Sequence, residues 1–107
     1  MKNEVKNFKE DLYTYAGLEN LTENTVLSEL YNYVQDTKET TDGELCNCWI
    51  CLADVAAIVL NGLKPYYCSN FIDKDKSNEY IGRLKSEVRE SIIKAFETVK
   101  KNPHHNA

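Results

Sequence analysis

Arginine is nearly absent from this 107-residue chain: Arg83 and Arg89 are the only two, and the formal charge is −4. Proteins that grip nucleic-acid polymers through phosphate contacts need a broad basic face, so that class is disfavoured and only local basic pockets are left to consider. Glycine is equally sparse, at positions 17, 43, 62 and 82, and the scatter excludes a glycine-rich phosphate loop. The two histidines, His104 and His105, sit side by side in the tail, and no nucleophile has an evident base partner. We therefore expect no enzymatic activity. The longest apolar run, within residues 50–60, contains Asp54 and is far too short to span a bilayer. Residues 1–10 are polar and charged, unlike a secretion signal. The expected setting is the cytoplasm, with no membrane insertion.

What the chain does have is cysteine, in a pattern. Three of its four cysteines fall in Cys46-Asn47-Cys48-Trp49-Ile50-Cys51, and Cys68 follows after a spacer of sixteen residues. Zinc is held by thiolates in tetrahedral sets, and a two-residue spacer lets two sulfurs from one turn reach the same ion. A four-sulfur site leaves no open position for water or substrate, so such a site acts as a structural clip. Three alternatives compete. Two disulfides are disfavoured without a secretion signal. A redox pair, Cys48 and Cys51, would normally open a helix after a strand, and no such strand is evident. Four unligated thiols packed as small hydrophobes are the plainest reading. Structural zinc on Cys46, Cys48, Cys51 and Cys68 is preferred. At 42% hydrophobic, the chain can bury one core as a single domain spanning 1–107, yet it is short enough for a metal clip to matter.

Apolar periodicity predicts helices almost throughout. Val5, Phe8 and Leu12, with Tyr15 and Ala16, outline an amphipathic helix over about residues 3–16 that ends at Gly17. Residues 18–21 read as a connector. Thr22 is the expected N-cap of a second helix, over about residues 23–37, with Val26, Leu27, Leu30, Tyr31 and Val34 on its stripe. A polar segment at 38–44, containing Asp42-Gly43, reads as a turn. From Cys48 to Leu60 apolar residues occur on all sides, which predicts a buried central helix stopped by Asn61-Gly62, with Lys64-Pro65 forcing an extended exit.

With Cys48 and Cys51 in its first turn, the positive end of that helix would favour thiolate over thiol. A thirteen-residue helix is about 20 Å long, and the eight residues from Asn61 to Cys68 reach about 26 Å when extended, so a return of Cys68 to the knuckle is feasible but nearly taut. Asp54 is the polar member of the buried stretch; a structural, hydrogen-bonded carboxylate is preferred to a ligand contact. The last helix should begin after Asp75 or Ser77 and reach about Lys101, with Tyr80, Ile81, Leu84, Val88, Ile92, Ala95, Phe96 and Val99 on its apolar face. At about 36 Å it exceeds what a small domain needs, and two readings stand level: it pairs with a second copy as a homodimer, or it closes the bundle of one chain. Pro103 ends it, and residues 102–107, His104 and His105 included, are expected to be a disordered tail. The predicted class is thus all-α, a single-domain bundle of about four helices with a zinc knuckle at the start of the central one.

The residues from Cys46 onward resemble the late competence development protein ComFB family. Its pattern of cysteine, one residue, cysteine, two residues, cysteine, two residues, Asp-Val, then an apolar helix ending in Leu-Asn and a Pro-x-Tyr exit, is matched by Cys46, Cys48, Cys51, Asp54, Val55, Ala57, Leu60, Asn61, Leu63, Pro65 and Tyr67. The match is specific over about twenty residues; the first and last helices carry little diagnostic signal. The resemblance implies a small, mostly helical, zinc-binding homodimer associated with DNA-uptake competence, and some cyanobacterial relatives look like receptors for cyclic dinucleotides. A non-enzymatic regulatory or adaptor protein is the leading expectation. A sensor of c-di-GMP or c-di-AMP is the alternative, because an anionic ligand with flat bases needs cations and aromatic surfaces, and Lys64, Tyr66, Tyr67, Arg83 and Arg89 are the available parts. A thiol redox switch ranks third.

Overall fold

The structure is a computed structural model and describes residues 2–38, 48–69 and 74–101 of the chain. Four helices and one short strand pair follow one another as α1 (Lys2–Ala16), β1 (Glu19–Asn20), α2 (Leu21–Lys38), α3 (Trp49–Asn61), β2 (Tyr67–Cys68) and α4 (Lys74–Lys101). The mainly helical expectation is met. The turn over 38–44, Cys46 and the tail 102–107 lie, wholly or almost wholly, outside the described residues.

One hydrophobic cluster joins three of the helices. Val26 and Leu30 of α2, Cys51, Val55 and Val59 of α3, and Leu84, Val88, Ile92, Ala95, Phe96 and Val99 of α4 are buried together. The α3 set recurs every four residues and the α4 set follows intervals of three and four, so each helix turns one stripe inward. Between α2 and α4, the rings of Tyr33 and Phe96 meet at 5.5 Å. The apolar stripe of α4 is therefore covered by α2 and α3 of the same chain. Its length does not by itself leave a face over for a partner.

The start of α2 differs from expectation. Asn20, not Thr22, is the N-cap: its Oδ1 accepts from the backbone N–H of Thr22 at 3.1 Å and of Glu23 at 3.3 Å. Thr22 is instead buried, and its hydroxyl donates to the carbonyl of Lys64 at 2.8 Å and lies 3.3 Å from the hydroxyl of Tyr80. The expected connector at 18–21 is in part a strand. β1 runs antiparallel to β2, pairing Glu19 with Cys68 and Asn20 with Tyr67. Asn20 Oδ1 also accepts from Tyr66 N–H at 3.2 Å, and Leu21 N–H donates to the Tyr66 carbonyl at 2.7 Å. The segment leaving α3 is thereby tied to the beginning of α2.

α3 ends where predicted, at Gly62, whose N–H bonds back to the carbonyls of Leu60 and Val59. It is not buried all round, however. Only Cys51, Val55 and Val59 are buried, while Trp49, Ile50 and Ile58 face outward. Two neighbouring helices cover one side of a third and no more, so an all-apolar α3 must present apolar groups to the exterior. α1 stands apart and makes no substantial packing contact with another described element. The radius of gyration, 16.0 Å, exceeds the roughly 13 Å of a compact chain of this length accordingly.

Candidate metal and ligand sites

The cysteine knuckle and its helix are placed by local backbone chemistry. Cys48 is the N-cap of α3, with extended dihedrals (φ −70°, ψ 159°), and its Sγ accepts from the Cys51 N–H at 3.4 Å. A sulfur in that position sits on the orphan donors and positive end of the helix, where its anionic form is stabilised. Cys51 lies one turn later and is only 1% exposed, packed with the core. This two-sulfur turn fits a divalent cation in donor type and in electrostatics. Cys51 is buried, and Cys48 is the half-buried member of the pair.

Cys68 stands elsewhere. Because α2 and α3 run antiparallel, with Trp49 beside Tyr31 and Val34, the knuckle lies at the far end of α2. β2 lies at the near end, where the Cys68 thiol is 3.9 Å from Glu19 Oε1. The length of α3, about 20 Å for 13 residues, separates the two. The chain after α3 does not spend its reach on returning to the knuckle; hydrogen bonds to Asn20, Leu21 and Thr22 hold it at the other end. Among the described residues no group of three or more His, Cys, Asp or Glu side chains is placed to hold a metal ion. Cys46 lies outside them.

The residues selected for an anionic, aromatic ligand are partly brought together. Lys64 and Arg83 line one cleft of about 510 Å³ with Gly62, Leu63, Tyr80 and Glu87. Beside it the ring of Tyr66 stacks on that of Tyr80, with centroids 4.4 Å apart. Tyr67, on β2, is exposed. Arg89 does not join the cleft. Its guanidinium reaches α2 instead, at 3.0 Å from Asp36 Oδ2 and 3.5 Å from Glu29 Oε2. Arg89 lies six residues beyond Arg83, well over a turn further along α4, with its charge turned toward the acids of α2.

Of the motif residues, Asp54 is half-buried on α3, and Asn61 and Pro65 are exposed at its end and in its exit segment. Sequence reasoning missed two features. Asn20 is the hub of the β1–β2 end, and its signal was an Asn directly before an apolar-periodic run. The second is an apolar groove of about 450 Å³ between α2 and α3, walled by Leu27, Tyr31, Val34, Trp49, Leu52 and Ala56 among others. Its signal was the excess of apolar residues around α3, which was read as burial.

No match was found among curated protein sequences. Among solved structures, the late competence protein ComFB from Bacillus subtilis is similar, with a TM-score of 0.56 and 23% sequence identity over 80% of this chain and 91% of that one. At that identity the likeness speaks to the fold. A family model described as late competence development protein ComFB matches residues 19–103, from β1 through the end of α4, leaving α1 before it. The chain belongs to the late competence development protein ComFB family.

Proposed function

We propose that this chain is a non-enzymatic late competence protein of the ComFB type, acting in the cytoplasm as a homodimeric regulator or adaptor stiffened by structural zinc. The observation that carries the metal is the capping geometry of Cys48, one turn from Cys51 at the positive end of α3. Cys46, Cys48 and Cys51 would hold the ion, which supplies cross-linking and no turnover. Cys68, beside Glu19 at the opposite end of the bundle, is the least suited of the four to this set. Elemental analysis with X-ray absorption on untagged protein tests the bound metal. One zinc per chain in a sulfur-rich shell is the expected result, and folded protein without a bound cation would refute it.

A second reading has an observation of its own. Lys64 and Arg83 flank a cleft beside the stacked Tyr66 and Tyr80, which suits a phosphate with an attached base. Glu87 in the same lining opposes an anion. Titration calorimetry with c-di-GMP and c-di-AMP decides the matter: heat abolished by Lys64→Ala with Arg83→Ala supports a cyclic dinucleotide sensor, and no heat with the wild type removes it.

A further inference from the structure

Among the described residues, two apolar surfaces stand uncovered. On α1, Val5, Phe8, Leu12 and Tyr15 follow intervals of three, four and three, which aligns them on one stripe. Phe8 is 65% exposed and Tyr15 79%. On the bundle, the groove between α2 and α3 has no Asp, Glu, Lys, Arg or His in its lining among the described residues, and at its rim Tyr31 is 65% exposed and Trp49 86%. Apolar surface of this extent marks an interaction site.

We propose that the α2–α3 groove receives α1 of a second copy of this chain, in a reciprocal two-fold exchange of arms. This rests on the dimeric reading above and specifies its interface. The dimensions agree: the stripe from Val5 to Tyr15 is about 15 Å long and the α2 wall from Leu27 to Val34 about 10 Å, with Trp49 extending the groove. The chemistry agrees too, since an uncharged groove desolvates no ion when it is filled.

The area is sufficient for a stable complex. An aromatic side chain buries about 150–250 Å², so Phe8, Tyr15, Tyr31 and Trp49, each mostly exposed, have about 100 Å² or more apiece left to bury. Counted over two symmetric sites, with Val5, Leu12 and Leu27 added, the total passes the roughly 1,200 Å² at which specific interfaces begin. The arm is held off its own bundle. Gly17, at φ 66°, ends α1 in the left-handed region, and Leu18 N–H closes back onto the Leu12 carbonyl at 3.2 Å. β1, anchored to β2, follows directly and sets the direction of exit.

Light scattering of the full chain over a range of concentrations, combined with the emission of Trp49, the sole tryptophan, tests the exchange. A dimer mass is expected, with emission moving to shorter wavelength as the dimer forms. Phe8→Asp with Leu12→Asp should weaken association by about tenfold or more and keep the emission red-shifted, because buried anchors dominate interface energy. Tyr31→Asp should do the same from the groove side, and Ile93→Ser, on the exposed side of α4, should change nothing. Since α1 is absent from the core cluster, its substitution leaves the bundle folded, which circular dichroism checks. A chain that is monomeric at every concentration overturns the dimeric reading and this interface together. A dimer that survives both the arm and the groove substitutions overturns the interface alone.

Discussion

Replacing Cys48 by serine separates two roles of one atom. In the structure its sulfur caps α3 by accepting from the Cys51 N–H. Serine is a good N-cap, so in metal-free protein Cys48→Ser should be neutral or slightly stabilising, while Cys48→Ala, which loses the cap, costs about 1 kcal/mol. In a domain of this size that loss lowers the melting temperature by roughly 4–8 °C. Zinc ligation reverses the sign for serine. An apparent structural-zinc contribution is on the order of 10 kcal/mol, comparable with the entire stability of a domain, and losing one thiolate forfeits much of it. The assay is thermal unfolding by circular dichroism of the wild type and both variants, zinc-replete and after chelation. In zinc, both variants should melt far below the wild type. After chelation the wild type should fall to the level of Cys48→Ser, with Cys48→Ala below both. Equal melting of zinc-replete wild type and Cys48→Ser would refute the structural metal. Cys51 is the poorer probe, because it is buried and a serine there would also bring a hydroxyl into the core.

Three further outcomes are expected. Asn20→Ala removes an oxygen that accepts three backbone N–H groups from two segments, and urea unfolding should show a loss of about 2 kcal/mol, above that of an ordinary cap. Ile92→Ala opens a cavity among fully buried neighbours and should cost about 2–5 kcal/mol in the same assay, without changing zinc content. Arg89→Ala breaks pairs with Asp36 and Glu29 that are partly solvated, so a change below about 1 kcal/mol that shrinks with added salt is expected; a salt-independent loss would show that the pair is shielded from solvent.

The helices were legible because their apolar intervals are strong. Leu84, Val88, Ile92, Ala95, Phe96 and Val99 were singled out by spacing and are buried, and Gly17 and Gly62 both stop helices as predicted. The strand pair was not legible, since two residues on each side carry no period; only the fold brings Glu19 to Cys68. The extent to which α3 is covered was misjudged for a related reason. An all-apolar helix signals that its surface should be hidden, but not whether the same chain does the hiding. At the candidate sites, local spacing placed Cys48 and Cys51 correctly in one turn. The positions of Cys68 and Arg89 depended on long-range choices, the strand pairing and the acids of α2, that no short window contains.

The triple acceptance at Asn20 also bears on how this molecule comes apart. One amide oxygen fastens the first turn of α2 to a stretch of chain forty-six residues downstream, so neither can fray without releasing the other. That end of the protein should open in a single concerted event, with amide protons of Thr22, Glu23 and Tyr66 exchanging at a common rate, while those of α1, which contributes nothing to the core cluster, exchange independently of it.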